Sequence, residues 1–227
     1  MTIKTRRPGF SLMELIVATM ISAFIAMSLV TINTTANRHV FQSSRANEVK
    51  AQLTIGMKAI RNGLGQGTLI VEPAKGSSGN RLVVASNLSQ NPDLTGCYPI
   101  AAGQPVAWQL FCTNTVTGPY GASVTQLLAY SNTINGGGCT CPASCSLNIF
   151  PSFACGANGN NKLVVASYLN TATPLFSRVA GDVLPNDSNS VLVRLHAIWT
   201  PTHGLENTQR SVDHALSSIF TVTGRGN

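Results

Sequence analysis

Arg6–Val30 reads RRPGFSLMELIVATMISAFIAMSLV, and the organisation of the chain follows from it. Lys4, Arg6 and Arg7 form a short basic leader, and Pro8, Gly9 and Phe10 close it. From Phe10 to Thr31 the sequence is predominantly apolar, with Glu14 the one charged residue before Arg38. A helix needs about 20 such residues to cross a bilayer. The basic flank marks the cytoplasmic side. A carboxylate this deep in a membrane segment costs roughly 2.5 kcal/mol or more, and an intramembrane acid is functional by default. A secretory signal would be cut after the apolar run, with Ala26-Met27-Ser28 as its weak cleavage site. A plain anchor would stay uncut. Neither accounts for Glu14.

The stretch GFSLMELIVA resembles the processing motif of type IV prepilins. The shared features are the basic leader, Gly9, Phe10, Ser11-Leu12 and Glu14-Leu15. The resemblance implies cleavage between Gly9 and Phe10, N-methylation of the new Phe10 amine, and a role for Glu14 in assembly. There Glu14 would meet the Phe10 amine of a neighbouring subunit or its own. The partners implied are other pilin or minor pilin subunits, the prepilin peptidase/methyltransferase and an inner-membrane assembly platform. Before assembly the chain would sit once through the bacterial inner membrane, in contact with lipid, with its head in the periplasm; afterwards it would lie in a filament.

Residues 10–64 are expected to form one helix, because no proline occurs between Pro8 and Pro73. Ala46, Val49, Leu53, Met57, Ile60 and Leu64 recur at spacings of three and four, which makes one apolar stripe. Arg38, Arg45, Lys50, Lys58 and Arg61 lie off that stripe. Gly56 is a weak point, and Gly63, Gly65 and Gly67 mark the end. The stripe is a core-packing face, and the remainder of the chain, 65–227, is the head it packs on.

The head is rich in Ser, Thr, Asn and Gly, and only 10% of the whole chain is charged. Such a composition suits short strands and turns. Strands are expected at Leu69–Glu72, Arg81–Ser86, Val106–Thr113, Val124–Ser131, Lys162–Leu169, Ser190–Trp199 and about Ser218–Thr223. Gly76-Ser77-Ser78-Gly79, Asn91-Pro92-Asp93 and Gly136-Gly137-Gly138 are turn signals. In Ser190–Trp199 the apolar residues Val191, Val193, Leu195, Ala197 and Trp199 alternate with Arg194 and His196, the period of a half-buried antiparallel strand. Glu206–Leu216 is expected as a short helix with Val212, Leu216 and Ile219 on one side. Asn80–Ser86, NRLVVAS, recurs as Asn161–Ser167, NKLVVAS, which suggests two central strands with similar demands. The fold class is therefore α+β, a helical spine on an antiparallel β-rich head, and the resemblance adds that this arrangement is pilin-like.

All six cysteines, Cys97, Cys112, Cys139, Cys141, Cys145 and Cys155, lie in the part expected to be exported. An even number in an oxidising compartment points to disulfides, and six cysteines allow 15 connectivities. A Cys97–Cys112 bridge is expected because both lie outside the cluster in the loop at about 132–161. A four-thiolate zinc site of Cys139, Cys141, Cys145 and Cys155 is the alternative, but C-x-C-x3-C lacks the paired knuckles such sites use. Asp182, Asn186, Asp187 and Asn189 gather oxygen ligands of the kind calcium takes, yet such clusters are more often polar turns.

The formal charge of +7 does not indicate nucleic acid. Removing Lys4, Arg6 and Arg7 with the leader leaves twelve of the fifteen basic residues, scattered, against eight acidic ones. No enzyme motif or cofactor motif is present. His39, His196, His203 and His214 are dispersed, and the adjacency of Asp213 and His214 does not make a dyad. The expected role is a structural minor subunit of a type IV pilus, priming assembly, capping the tip or presenting a surface for adhesion, motility or DNA uptake. The long head resembles the W- and J-type minor pilins. A type II secretion pseudopilin is the alternative within the class, and a membrane-anchored periplasmic binding protein the alternative outside it.

A peptidase that cuts after Gly9 needs the backbone close, with no side chain in the way. Gly9→Val is expected to leave the leader attached and to keep the chain out of filaments. N-terminal sequencing and mass measurement check this, and a wild-type-sized product starting at Phe10 would refute the processing site.

Overall fold

The structure is a computed structural model, and it describes residues 11–88, 106–118, 121–134, 154–157, 162–178, 189–201 and 210–222. The chain divides into two units, Met1–Ser44 and Arg45–Asn227. The element that begins in the first and ends in the second is a single helix, α1, Leu12–Gln66.

In the first unit α1 is long and apolar enough to cross a membrane. Residues 11–41 are exposed, including Leu15, Ile21, Phe24, Ile25 and Leu29. Several of its hydroxyls are satisfied within the helix. Thr19 Oγ1 donates to Ile16 O at 2.8 Å, Ser28 Oγ to Phe24 O at 2.9 Å and Thr31 Oγ1 to Met27 O at 2.9 Å. Each bond removes an unpaired donor that hydrocarbon would penalise by several kcal/mol.

In the second unit α1 turns its apolar stripe inward. Val49, Leu53, Ile60 and Leu64 are almost fully buried, with Ala46 and Met57 half-buried. Burial of each full aliphatic side chain contributes about 1.5–3 kcal/mol. The helix runs one turn past Gly63 and stops at Gln66, so Gly63 lies inside it. Gly67 N–H then donates to Leu64 O at 3.1 Å, and Thr68 N–H to Ala85 O at 2.7 Å, which leads the chain directly into a sheet.

Among the described residues nine strands follow: β1 Leu69–Glu72, β2 Ser78–Gly79, β3 Arg81–Ser86, β4 Val106–Thr117, β5 Ser123–Ile134, β6 Lys162–Ala166, β7 Phe176–Ser177, β8 Ser190–Trp199 and β9 Val212–Thr221. All pairings are antiparallel. One sheet has the order β1-β3-β4-β5-β6 and the other β2-β7-β8-β9. Apart from β2, the chain passes from the first sheet to the second after β6. Tyr168 adopts φ 62°, Leu169 bridges Ala197, and Asn170 N–H donates to His196 O. Gln52 of α1 holds this passage by accepting the Ser167 N–H at 2.9 Å.

The main core is shared by the helix and both sheets. Leu82, Val84, Phe111 and Leu127 come from the first sheet, and Val191, Val193, Leu195, Ala197 and Trp199 from the second. They close on Val49, Leu53, Ile60 and Leu64. The opposite face of the first sheet is buried as well, through Val83, Trp108, Leu110, Cys112, Leu128 and Tyr130. A strand buried on both faces reads as a continuous apolar run, and LVVA in β3 is such a run. Buried Arg178 ties β7 to the end of β1, donating from Nη1 to Ile70 O at 2.9 Å and Pro73 O at 3.1 Å.

Three expectations are corrected. The NKLVVAS segment does not form a second central strand. Its strand β6 is a sheet edge, ends at Ala166, and leaves Leu163 and Val164 61% and 44% exposed. The helix over Glu206–Leu216 is absent from its described part, where β9 already runs from Val212. There Val212, His214, Leu216, Ser218 and Phe220 face inward and Ile219 faces out. Gly56 does not interrupt the helix, which runs unbroken through it. A Cβ there would lie 3.3 Å from Ala166 Cβ and 3.3 Å from Leu195 Cδ1, so its bare backbone lets the helix approach both sheets.

Two neighbouring glycines make a test of this packing. A Cβ on Gly63 would meet Gln109 Oε1 at 2.3 Å and the Phe111 ring at 2.9 Å, while one on Gly65 meets nothing within 4 Å. Gly65→Ala is expected to raise stability by about 0.5–1 kcal/mol through helix propensity. Gly63→Leu is expected to lower it by about 1–3 kcal/mol through overpacking. Thermal melts of the full chain in detergent check both, and equal effects of the two substitutions would refute the assigned packing.

Candidate functional site

The start of α1 is built by a local hydrogen-bond exchange. Leu15 N–H donates to Ser11 O at 3.2 Å, which makes Ser11 the N-cap. Ser11 Oγ accepts the Met13 N–H at 3.2 Å, and Glu14 Oε2 accepts the Ser11 N–H at 3.1 Å. This is a capping box, in which residues three apart satisfy amide donors that a helix start otherwise leaves open. The carboxylate also lies in the first turn, where the helix dipole favours negative charge. Glu14 thus has a partner on its own chain, although no cation lies near it in sequence. The Ser-x-x-Glu spacing of Ser11 and Glu14 carried this signal. Gly9 and Phe10, the two sides of the expected cut, lie outside the described residues.

Cys112 and Cys155 form a disulfide with a Cα–Cα distance of 6.0 Å. This overturns the expected Cys97–Cys112 bridge. Cys112 is an outward position of β4, in a face made with Val83, Leu110, Leu128 and Tyr130, and the segment 154–157 lies over it. Tyr130 Oη accepts the Gly156 N–H at 3.1 Å beside the bridge. The pairing follows from which face of β4 carries Cys112, a feature that cysteine spacing does not encode. A zinc site needing the Cys155 thiolate is excluded by the same bond. Cys97, Cys139, Cys141 and Cys145 lie outside the described residues.

Among the described residues no group of three or more His, Cys, Asp or Glu is placed to hold a metal ion. Of the oxygen-rich turn, Asp182, Asn186 and Asp187 lie outside the described residues, and Asn189 O accepts the Val222 N–H at 2.9 Å, closing the end of the β8–β9 pair. Asp213 does meet a histidine, but it is His196 across the sheet, Nε2 to Oδ1 2.6 Å, rather than its neighbour His214. That pair lies on the outer sheet face, with Asp213 64% exposed, where an ion pair contributes about 0–1 kcal/mol.

A cleft of about 250 Å³ opens where α1 ends. Gly63, Gln66 and Gly67 form one wall, and Val84, Ser86, Ala107, Gln109, Ser131 and Thr133 the other. Register places the sheet residues in two rows, Val84–Gln109–Ser131 and Ser86–Ala107–Thr133. Gln109 Nε2 donates to Gln66 Oε1 at 3.3 Å across the cleft. No charged side chain lines it. Only the strand register brings these residues together, and no sequence spacing marks them as a group.

No protein-family model, curated protein or solved structure matches this chain.

The bridge closes a loop with a sequence separation of 43, for which the chain-entropy relation gives roughly 4 kcal/mol. Cys112→Ser is expected to lower head stability by about 2–4 kcal/mol. Peptide mapping without reduction should recover a fragment joining Cys112 to Cys155; a fragment joining Cys97 to Cys112 would refute the pairing.

Proposed function

We propose that this protein is a structural minor subunit of a type IV pilus, cleaved after Gly9, methylated at Phe10 and built into a filament through its N-terminal helix. The observation that carries the proposal is the combination at one helix start. The Gly9-Phe10 processing motif leads directly into an apolar helix, Glu14 sits in its first turn, and the same helix ends as the core of a β-rich head. A spine of this kind has two jobs. Its apolar half holds the chain in the inner membrane before assembly, and in the filament it lies among the spines of other subunits. Its second half is part of the head's own core. The head then contributes to initiation or to the surface presented at the tip.

Glu14 is the residue on which assembly turns. In a single subunit its carboxylate is held by the Ser11 N–H. Cleavage creates a cation on Phe10, the residue next to that cap, and an assembled neighbour offers the same group. Pairing relieves the cost of both buried charges, and breaking a buried pair by removing one partner costs about 3–5 kcal/mol.

Capping and charge pairing are separated by two substitutions. Glu14→Val removes both. Glu14→Gln keeps a side chain that caps, since Glu and Gln both serve at that position, but removes the charge. Both variants are expected in the membrane fraction and both are expected to be depleted from sheared filaments. Normal recovery of Glu14→Gln in filaments would refute charge pairing and leave the cap as the whole role of Glu14.

A further inference from the structure

We infer that the cleft at the end of α1 is a binding site for a small neutral saccharide unit. The lining argues by exclusion and by match. No Lys, Arg, Asp, Glu or His lines it, so neither an anion nor a metal ion finds a counter-charge there. Its sheet wall is β3, β4 and β5, of which β3 and β4 lie inside the sheet and β5 is paired by β6 over Leu127–Tyr130. An apolar helix would need an apolar groove, and this one presents Gln66, Ser86, Gln109, Ser131 and Thr133. At about 250 Å³ it lies below the range of drug-sized sites, which starts near 300 Å³, and so fits one small unit.

What the lining offers is a concentration of neutral donors and acceptors. A carboxamide carries two N–H donors and a carbonyl acceptor, and a hydroxyl donates once and accepts twice. Vicinal sugar hydroxyls present the same alternation of donor and acceptor. Gln66 and Gln109 already hold each other at 3.3 Å, so the two amides are positioned before any ligand arrives. The cleft is open on one side, which suits the end residue of a longer glycan.

The site is independent of filament membership and is tested on the full chain held in a phosphocholine detergent, which has no sugar headgroup to compete. The probes are glucose, galactose, N-acetylglucosamine and N-acetylgalactosamine, each read by saturation transfer from protein to sugar. At least one is expected to bind in the millimolar range. Gln109→Ala is expected to weaken that sugar about five- to tenfold, as loss of one or two neutral hydrogen bonds implies. Ser131→Ala supplies a second variant should Gln109→Ala fail to fold, and Gly65→Ala, beside the cleft but outside its lining, is expected to bind as wild type. No transfer to any of the four sugars would overturn the assignment, as would binding that survives both lining variants. A response to protein concentration with none to sugar would give the cleft to a second copy of the chain and equally overturn it.

Discussion

The head depends on one contact, the stripe of α1 from Val49 to Leu64 closing against two sheets at once. Neither sheet faces the other across a complete core of its own. The first gives Leu82, Val84, Phe111 and Leu127 to the helix, and the second gives the alternate residues of β8. Gly56 and Gly63 set how near the helix comes, since added side chains would strike Ala166 and Leu195 at one and Gln109 and Phe111 at the other. Interiors packed at crystal-like density transmit such displacements rather than absorb them. The spine is therefore not an attachment to a finished domain. Removing it would open the main core along its length.

That dependence explains which parts of the fold were legible in the sequence. The helix stripe and the β8 alternation are visible because burial on one side leaves a period in the residues. β9 obeys the same period but hides it. His214 and Ser218 occupy inward positions and Ile219 an outward one, so Val212, Leu216 and Ile219 imitate helical spacing. The two LVVA segments show the opposite failure. Identical residues serve an interior strand in β3 and an edge in β6, because sheet position is decided by pairing partners far away in the chain. The cysteine pairing and the cleft fall in this second class, since each depends on strand register. At the N-terminus the residues that matter are contiguous, and there the processing motif and the Ser11–Glu14 cap are both local patterns. The Ser-x-x-Glu spacing of the cap is local too, although in a membrane segment the charge of Glu14 is a stronger signal than its lone pairs.

The outer face of the first sheet shows why a loop-rich head needs a covalent tie. Trp108, Leu110, Leu128 and Tyr130 are buried there, and among the described residues no helix covers them. Cys112 stands among them, and its bond to Cys155 fixes the segment 154–157 over the face. A cover made of small residues gains little from its own burial. The disulfide supplies what apolar area does not, by narrowing the unfolded ensemble, and the Gly156–Tyr130 bond satisfies the one hydroxyl in the cluster with a backbone donor.

Glu14 unites two physical demands that a membrane segment sets against each other. A helix beginning in lipid leaves amide donors open, and an unpaired donor there is costly. A carboxylate in lipid is costly too. In α1 the two costs offset, because Glu14 accepts the Ser11 N–H and Ser11 accepts that of Met13. The acid thus has a hydrogen-bond partner on its own chain. Among the described residues Glu14 accepts one hydrogen bond, whereas a carboxylate accepts several. On the proposed function, that remaining capacity is what a cationic amine would take up, and the charge would set the register between spines, where apolar surfaces sliding past one another would set none.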